Sequence, residues 1–237
     1  MSKNKKIKHS QHTVSPRLAQ EQTGIPTAVW SALALGAAVK ILYLIFSQKS
    51  PFYQPLLLDP EYYQHWAERI LSGDLVGDKV FYGLPLYPYF LALCYKIFQN
   101  SLLAIKIVQA LLGLITLFFI YKIGDRIASK KAGIIAIFLA AIYGPLFFHE
   151  GILIPETLSL PLYAASFYFA LIFSDQPTLK KGVGFGVLCG LAALTKAGLI
   201  PFVFIFSAFG IYRQFRDAKK IAWPYLSLVI AFFLSRL

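Results

Sequence analysis

Long apolar segments joined by short polar loops are the feature that most constrains the fold of this chain. Hydrophobic residues make up 57% of the sequence and charged residues 14%, whereas soluble domains carry about a quarter charged residues. A helix needs roughly twenty apolar residues to cross a membrane. The sequence therefore predicts an all-α polytopic membrane protein with about seven transmembrane helices. The predicted spans are 27–46, 102–121, 132–148, 153–173, 182–195, 198–212 and 221–237.

Lysine and arginine residues cluster on one side of these segments. They occur in residues 1–26, in the loop 122–131, at 180–181 and in 213–220. Because cytoplasmic loops of membrane proteins are enriched in Lys and Arg, we predict that these regions are cytoplasmic and that residues 1–26 form a basic cytoplasmic tail. The distribution of the net charge of +12 is thus explained by the membrane topology, and no nucleic-acid partner is expected.

The predicted topology leaves one long external loop, at residues 47–101. The chain must cross the membrane once between this external loop and the cytoplasmic loop that follows, and the span 102–121 makes that crossing. The apolar segment 84–98 should therefore not cross the membrane. That segment is short and contains two prolines, three tyrosines and a lysine, which is typical of a helix lying in the membrane interface.

A second interfacial helix is predicted at 60–72 in the same loop. Asp59 would be its N-cap, Pro60 its first residue and Gly73 its end. The whole of residues 27–237 is then one transmembrane module with two juxtamembrane helices in its first external loop.

Four ionisable residues next to the apolar segments are candidate site residues: Asp59, Glu150, Glu156 and Lys196. An ionisable group at a bilayer edge is costly and so indicates a site. The predicted topology places all four on the external side. Carboxylates there suit general-base chemistry on a hydroxyl or amine, and a lysine suits holding a phosphate. The pattern favours attack on a phosphate-activated group presented by a lipid.

Four motifs in a fixed order carry a family resemblance: LLDPEYYQHWAERILSGD, GLPLYPYFLAL, FFHEGILIPETLSL and GLAALTKAGLIPF. In this order they resemble the family 39 glycosyltransferases, which include protein mannosyltransferases and the bacterial aminoarabinose transferase acting on lipid A. The resemblance covers residues 27–237. It implies the integral-membrane glycosyltransferase C fold and inverting transfer of a sugar from a polyprenyl-phosphate donor at the outer face.

The matched motifs also imply roles for individual residues. Asp59 matches the first acidic position of the family, which acts as base. Glu156 best matches the second acidic position, with Glu150 as the competing candidate, and both remain candidate catalytic residues. Lys196 in LTKAG matches the lysine that contacts the donor phosphate.

One departure from the family pattern affects phosphate recognition. Many members have a lysine before the proline of the second interfacial helix, where Gly83 and Leu84 stand here. Arg69 or Lys79 could then assist Lys196. Further candidate substrate-binding residues are Glu61 and Tyr62.

Each candidate also has a purely structural interpretation. Asp59 could serve only as a helix N-cap, and Glu156 could serve only to favour a helix N-terminus through the macrodipole. Glu150 could mark a membrane boundary, and Lys196 could extend from a helix end to the interface. Lys40 lies within the first span, where it either pairs with an acid of a neighbouring helix or reaches water.

Small residues and cysteines are interpreted as packing residues. Gly182, Gly184, Gly186 and Gly190 on the fifth span are predicted to permit close helix packing. Cys94 and Cys189 are expected to be inert.

No cofactor is firmly implied. A divalent metal is a candidate cofactor because His65 and His149 lie among external acids, but metal-ligand spacing is absent from the sequence. The implied partners are a polyprenyl-phosphate sugar, a lipid, glycan or protein acceptor, and membrane lipids. The implied location is a bacterial inner (plasma) membrane, with the N-terminus in the cytoplasm.

Two alternatives to an active transferase remain. Family members usually continue past the seventh span, so this chain could be a catalytically silent truncated remnant or a subunit that lacks a C-terminal half. A small-molecule transporter or flippase would also place charges in a membrane, although transporters tend to show internal repeats, and we find no convincing repeat here.

Overall fold

The computed structural model describes residues 24–54, 58–75, 83–218 and 223–235. Within these ranges the chain is helical and contains no strand, which confirms the predicted all-α class. Most of the basic tail, at residues 1–23, and the candidate Lys79 lie outside the described residues. The helices are α1 (Thr27–Ser47), α2 (Leu58–Leu71), α3 (Leu86–Phe98), α4 (Leu102–Ile127), α5 (Lys130–Ala141), α6 (Gly144–Glu150), α7 (Glu156–Asp175), α8 (Leu179–Thr195), α9 (Ile200–Ala218) and α10 (Trp223–Leu234).

Four segments of the described chain are long and apolar enough to cross a membrane. They are Thr27–Ser47, Leu102–Ile127, Glu156–Asp175 and Ala197–Gln214. The predicted span 132–148 is instead two helices, α5 and α6, bent by 56°, and it makes a fifth crossing if the pair is one span. Pro145 at the start of α6 explains the break, because proline lacks an amide hydrogen and cannot continue the preceding helix. Helices α8 and α10, with 17 and 12 residues, are shorter.

Helices form at both places predicted within the first long loop. Helix α2 begins two residues earlier than predicted, at Leu58, and ends at Leu71. Asp59 therefore lies in the first turn of the helix, and the predictions of Asp59 as its N-cap and Pro60 as its first residue are wrong. Gly73 has a φ of +101°, and the amide of Asp74 donates to the Arg69 carbonyl at 3.1 Å. Glycine adopts this left-handed conformation without a steric cost. Gly73 therefore ends the helix as predicted.

Helices α2 and α3 pack on each other and on the start of α4. Tyr63 and Trp66 of α2 and Tyr87 and Leu91 of α3 form one buried cluster with Ile105 of α4. These rings and aliphatic groups leave water on packing, which provides the main stabilisation of the pair. The cluster fixes the position of α2 relative to the long helices.

Two of the predicted cytoplasmic regions, the loop 122–131 and the one that holds residues 180–181, meet at one end of the helix bundle. The Cα of Gly133 on α5 approaches Gly124 on α4 so closely that a Cβ on Gly124 would lie 2.8 Å from it. Arg126 of α4 forms an ion pair with Asp175 at the end of α7. Lys181 of α8 donates to Gln176 at 3.1 Å. The basic residues of these loops therefore share one end, called here the basic end.

The glycines of α8 divide between two faces. A Cβ on Gly182 or Gly186 would overlap atoms of α10, and a Cβ on Gly190 would overlap Ser235 directly after α10. A Cβ on Gly184 would meet nothing within 4 Å. The prediction of close helix packing is confirmed for the first three and wrong for Gly184, because a residue two positions away lies on a different face of a helix. Cys94 and Cys189 are buried and free, and burial raises the pKa of the Cys94 thiol to about 11.

Candidate functional site

Glu156 and Lys196 form an ion pair at the end of the bundle opposite the basic end. Glu156 is the first residue of α7, and Lys196 directly follows α8. The Lys196 ammonium donates to one carboxylate oxygen of Glu156, and the side chains are 52% and 28% exposed, respectively. The hydroxyl of Tyr163 donates to the Lys196 carbonyl at 2.6 Å, which holds this turn against α7. The pair is therefore fixed in place and open to solvent or ligand.

A second lysine–glutamate pair lies inside the bundle. Lys40 of α1 donates to both carboxylate oxygens of Glu150, at 2.5 and 2.6 Å. The two side chains are only 5% and 6% exposed. A Cβ on Gly113 of α4 would overlap the Glu150 carboxylate, so the glycine makes room for the pair. Lys40 thus pairs with an acid rather than reaching water, and Glu150 is buried rather than placed at an exposed boundary.

Gln109 joins the buried pair to the interhelical loop that precedes Glu156. Its amide nitrogen donates to the carbonyls of Glu150 and Ile152, at 2.7 and 3.0 Å. Its amide oxygen accepts a hydrogen bond of 2.8 Å from the Tyr87 hydroxyl. Burial raises the pKa of Tyr87 well above its usual value, and nearby groups that include Glu156 add to the rise. Tyr87 is therefore a neutral donor, and it ties α3 to this loop.

The candidate residues of α2 divide along the helix. Asp59 and Glu61 lie in the first turn and are exposed, and Tyr62 is half-buried. Tyr63 lies one turn after Asp59, and its ring contacts Tyr87 with centroids 5.3 Å apart. The first turn of α2 therefore lies beside the Tyr87 network.

Arg69 lies in the last turn of α2. Ten residues of helix, about 15 Å, separate it from Asp59. The structure thus groups Asp59, Glu61 and Tyr62, and places Arg69 at the other end of the helix.

Among the described residues, groups of three or more His, Cys, Asp or Glu side chains that could hold a metal are absent. His65 faces Glu68 at 3.3 Å and Glu61 at 3.8 Å along the exposed side of α2. These contacts are the usual i,i+3 and i,i+4 pairs of a helix surface.

Sequence reasoning missed two polar residues of α4, Lys106 and Gln109. Both are almost fully buried. They lie three positions apart, with Gly113 four positions further along, so the three share one helix face. The signal was present in the sequence, since Lys106 and Gln109 interrupt an otherwise apolar span, LLAIKIVQALLGL, on a single face.

No curated protein matches this chain. The sequence pattern of the dolichyl-phosphate-mannose-protein mannosyltransferase family matches residues 83–236. The matched region includes Glu150, Glu156 and Lys196, and it begins after α2, which carries Asp59. Since it covers well over half of the sequence, the chain belongs to the dolichyl-phosphate-mannose-protein mannosyltransferase family.

Proposed function

We propose that this protein transfers a sugar from a polyprenyl-phosphate donor to an acceptor at the outer face of a membrane, with inversion at the anomeric carbon. Its family implies glycosyl transfer from a lipid-linked donor in general. The observation that carries the finer proposal is the pairing of Glu156 with Lys196, at the end opposite the basic loops. One side of the bundle thereby offers a cation that can bind the donor phosphate, together with several carboxylates.

Asp59 is the base in this proposal. It removes the proton from an acceptor hydroxyl or amine while the acceptor atom attacks the anomeric carbon. The bond between that carbon and the phosphate oxygen breaks, and the polyprenyl phosphate leaves with the electron pair. Attack from the face opposite the phosphate inverts the configuration. The exposed position of Asp59 in the first turn of α2 suits contact with an acceptor.

Lys196 holds the donor phosphate. Its ammonium is half-exposed, so a phosphate can approach without unfolding any helix. Glu156 orients the lysine before the donor arrives and then shares it with the phosphate, which makes Glu156 the second acid of the site. Glu150 is a poorer candidate for that role, because both of its carboxylate oxygens accept hydrogen bonds from buried Lys40.

The proposed topology has seven membrane crossings: the five candidate crossings described above, and α8 and α10. Helices α2 and α3 lie in the outer membrane interface. The gathering of basic residues at one end of the bundle supports a cytoplasmic N-terminus. A bacterial inner membrane is the proposed location. A lipid, a glycan or a protein remains the proposed acceptor class.

Replacement of Asp59 by asparagine tests the base. Asp59 is exposed in the first turn of α2, where loss of its charge costs about 1 kcal/mol or less through the helix dipole, so we expect normal expression of Asp59→Asn. We expect transfer to fall by about a hundredfold or more, the usual contribution of a general base. The measurement follows tritiated mannose from polyprenyl-phosphate mannose into membrane acceptors, with the full chain expressed in membranes.

Asp74→Asn is the matched control, because it makes the same chemical change beyond the other end of α2. It should transfer mannose at the parental rate. Full activity of Asp59→Asn would eliminate Asp59 as the base, and an equal loss in both variants would show that the change acts through the surface charge of the loop.

A further inference from the structure

Helices α7 and α8 leave an apolar cavity of about 440 Å³ between them, near the basic end of the bundle. Residues spaced three or four positions apart line it from each helix, as is usual for one face of a helix. They are Phe169, Ile172 and Phe173 on α7 and Lys181, Gly184 and Phe185 on α8. The cavity is therefore a groove between two facing helix surfaces.

This groove has a buried floor and an open side. Phe173 and Phe185 are 1% and 3% exposed, and their ring centroids lie 6.0 Å apart. Phe169 is 42% exposed at the rim. Because α7 is one of the helices long and apolar enough to cross a membrane, the open side of the groove faces hydrocarbon chains.

Gly184 lies on the wall of the groove, and helix packing does not explain it. A Cβ at this position would meet nothing within 4 Å, unlike a Cβ on the neighbouring Gly182 or Gly186. Glycine inside a helix is destabilising relative to alanine, and it is typical of a helix surface that another group approaches closely. Gly184 therefore favours an occupant that the described residues do not supply.

Lys181 adds a positive charge to the groove at the basic end. It lies in the first turn of α8 and is half-buried. Its ammonium donates to the neutral side-chain amide of Gln176 at 3.1 Å, whereas the adjacent acid, Asp175, pairs with Arg126. Among the ion pairs of the described residues, none includes Lys181. One end of an apolar groove thus carries a cation that no carboxylate neutralises.

We propose that the groove binds an anionic phospholipid, with one acyl chain in the cavity and the phosphate on Lys181. A basic pocket between transmembrane helices suits the headgroup of such a lipid, and the other cations of the basic end attract anionic lipid to it. A helix from a second copy of the chain would fill the cavity but leave Lys181 without a counter-ion. The site lies at the end of the bundle opposite Glu156 and Lys196, so it goes beyond the proposed transfer reaction.

Native mass spectrometry of the purified full chain in detergent tests the headgroup contact. The protein is titrated with phosphatidylglycerol or with diacylglycerol, which has the same chains but lacks the phosphate, and the dissociation constant of the first bound lipid is measured. Lys181→Met should weaken phosphatidylglycerol binding about fivefold, as expected for one lysine acting on anionic lipid. It should leave diacylglycerol binding unchanged, and Lys181→Arg should bind both lipids like the parent.

Lys130→Met is the matched control for charge. Lys130 is exposed at the start of α5, at the same end of the bundle, and it does not line the groove. This variant should bind phosphatidylglycerol like the parent. Unchanged affinity of Lys181→Met would overturn the proposal. An equal loss in Lys181→Met and Lys130→Met would also overturn it, because it would show a general attraction of the basic end.

Gly184→Leu tests the acyl-chain contact by filling the groove. Leucine favours a helix more than glycine does, and the open space around Gly184 leaves room for it, so the variant should fold. It should weaken binding of both lipids about tenfold, as expected when about two methylene groups lose their apolar contact. Val187→Leu is the matched control, because Val187 is an exposed residue of α8 outside the groove. It should bind both lipids like the parent.

Two results with Gly184→Leu would overturn the proposal. The first is parental affinity of this variant for phosphatidylglycerol. The second is a parental chain that forms a dimer in place of a lipid-bound monomer, with the dimer lost in Gly184→Leu, because that result would assign the groove to a second copy of the chain.

Discussion

Two lysine–glutamate pairs of the bundle differ in their access to solvent. The side chains of Lys40 and Glu150 are 5% and 6% exposed, whereas those of Lys196 and Glu156 are 52% and 28% exposed. Only six positions separate the two glutamates in the sequence. The same pair of groups is therefore placed once inside the protein and once at its surface.

The environment decides what each pair can do. In a dry interior, removing one partner leaves an uncompensated charge, so a buried pair resists rearrangement. At a half-exposed position the attraction is screened by solvent, and an ion pair is worth about 1 kcal/mol or less. The buried pair therefore suits holding α1, α4 and α6 together, and the exposed pair suits exchange with a charged ligand.

Breaking the buried pair should have the largest effect on stability. Glu150→Gln leaves Lys40 charged and without its carboxylate, so we expect the free energy of unfolding to fall by about 3–5 kcal/mol. The double variant Lys40→Met/Glu150→Met removes both charges and should recover most of that loss. Thermal and denaturant unfolding in detergent micelles measure both. If the double variant is as unstable as Glu150→Gln, the charge explanation is wrong.

Filling the space at Gly113 should have an intermediate effect. A Cβ there would overlap the Glu150 carboxylate and lie 2.7 Å from the Lys40 ammonium, so Gly113→Ala should cost about 1–3 kcal/mol through overpacking. Gly184→Ala is the matched control. Nothing lies within 4 Å of a Cβ at Gly184, and the better helix propensity of alanine should stabilise α8 by up to about 1 kcal/mol. Equal effects in the same unfolding assay would contradict the tight fit around the buried pair.

Breaking the exposed pair should change stability least and ligand binding most. We expect Lys196→Met to alter the free energy of unfolding by less than about 1 kcal/mol and to weaken binding of a polyprenyl-phosphate analogue about tenfold. Lys196→Arg should weaken it less, since the charge remains. Glu156→Gln is the control, because it breaks the ion pair but keeps the lysine charge. It should leave the free energy of unfolding nearly unchanged. A Met variant that binds the analogue as tightly as the parent would reduce Lys196 to an interfacial anchor.

Helix positions were largely predictable because their signals are local. The first span was predicted at 27–46 and is Thr27–Ser47, since a long apolar run bounded by polar residues specifies its own ends. Gly73 ends α2 as predicted, because a left-handed residue after a helix favours glycine. The break between α5 and α6 was missed although Pro145 signals it, because the apolar composition continues across the break and hydropathy does not register backbone geometry.

The candidate site was predictable only in part. The sequence placed Glu156 and Lys196 on one side through loop charges, and the structure brings them into contact. The sequence did not decide whether Lys40 pairs with an acid or reaches water. It also did not decide whether Glu150 or Glu156 is the second acid of the site. Lys106 was not among its candidates at all.

By itself the sequence determined that this chain is helical and apolar, roughly where most of its helices lie, and which loops carry positive charge. Each of these properties depends on residues close together in the chain. Tertiary structure alone decided that Lys40 meets Glu150 across 110 positions and that Lys106 is buried against Tyr53. The exposure of a charged group depends on which helices pack around it, and that packing arises from contacts between segments far apart in the sequence.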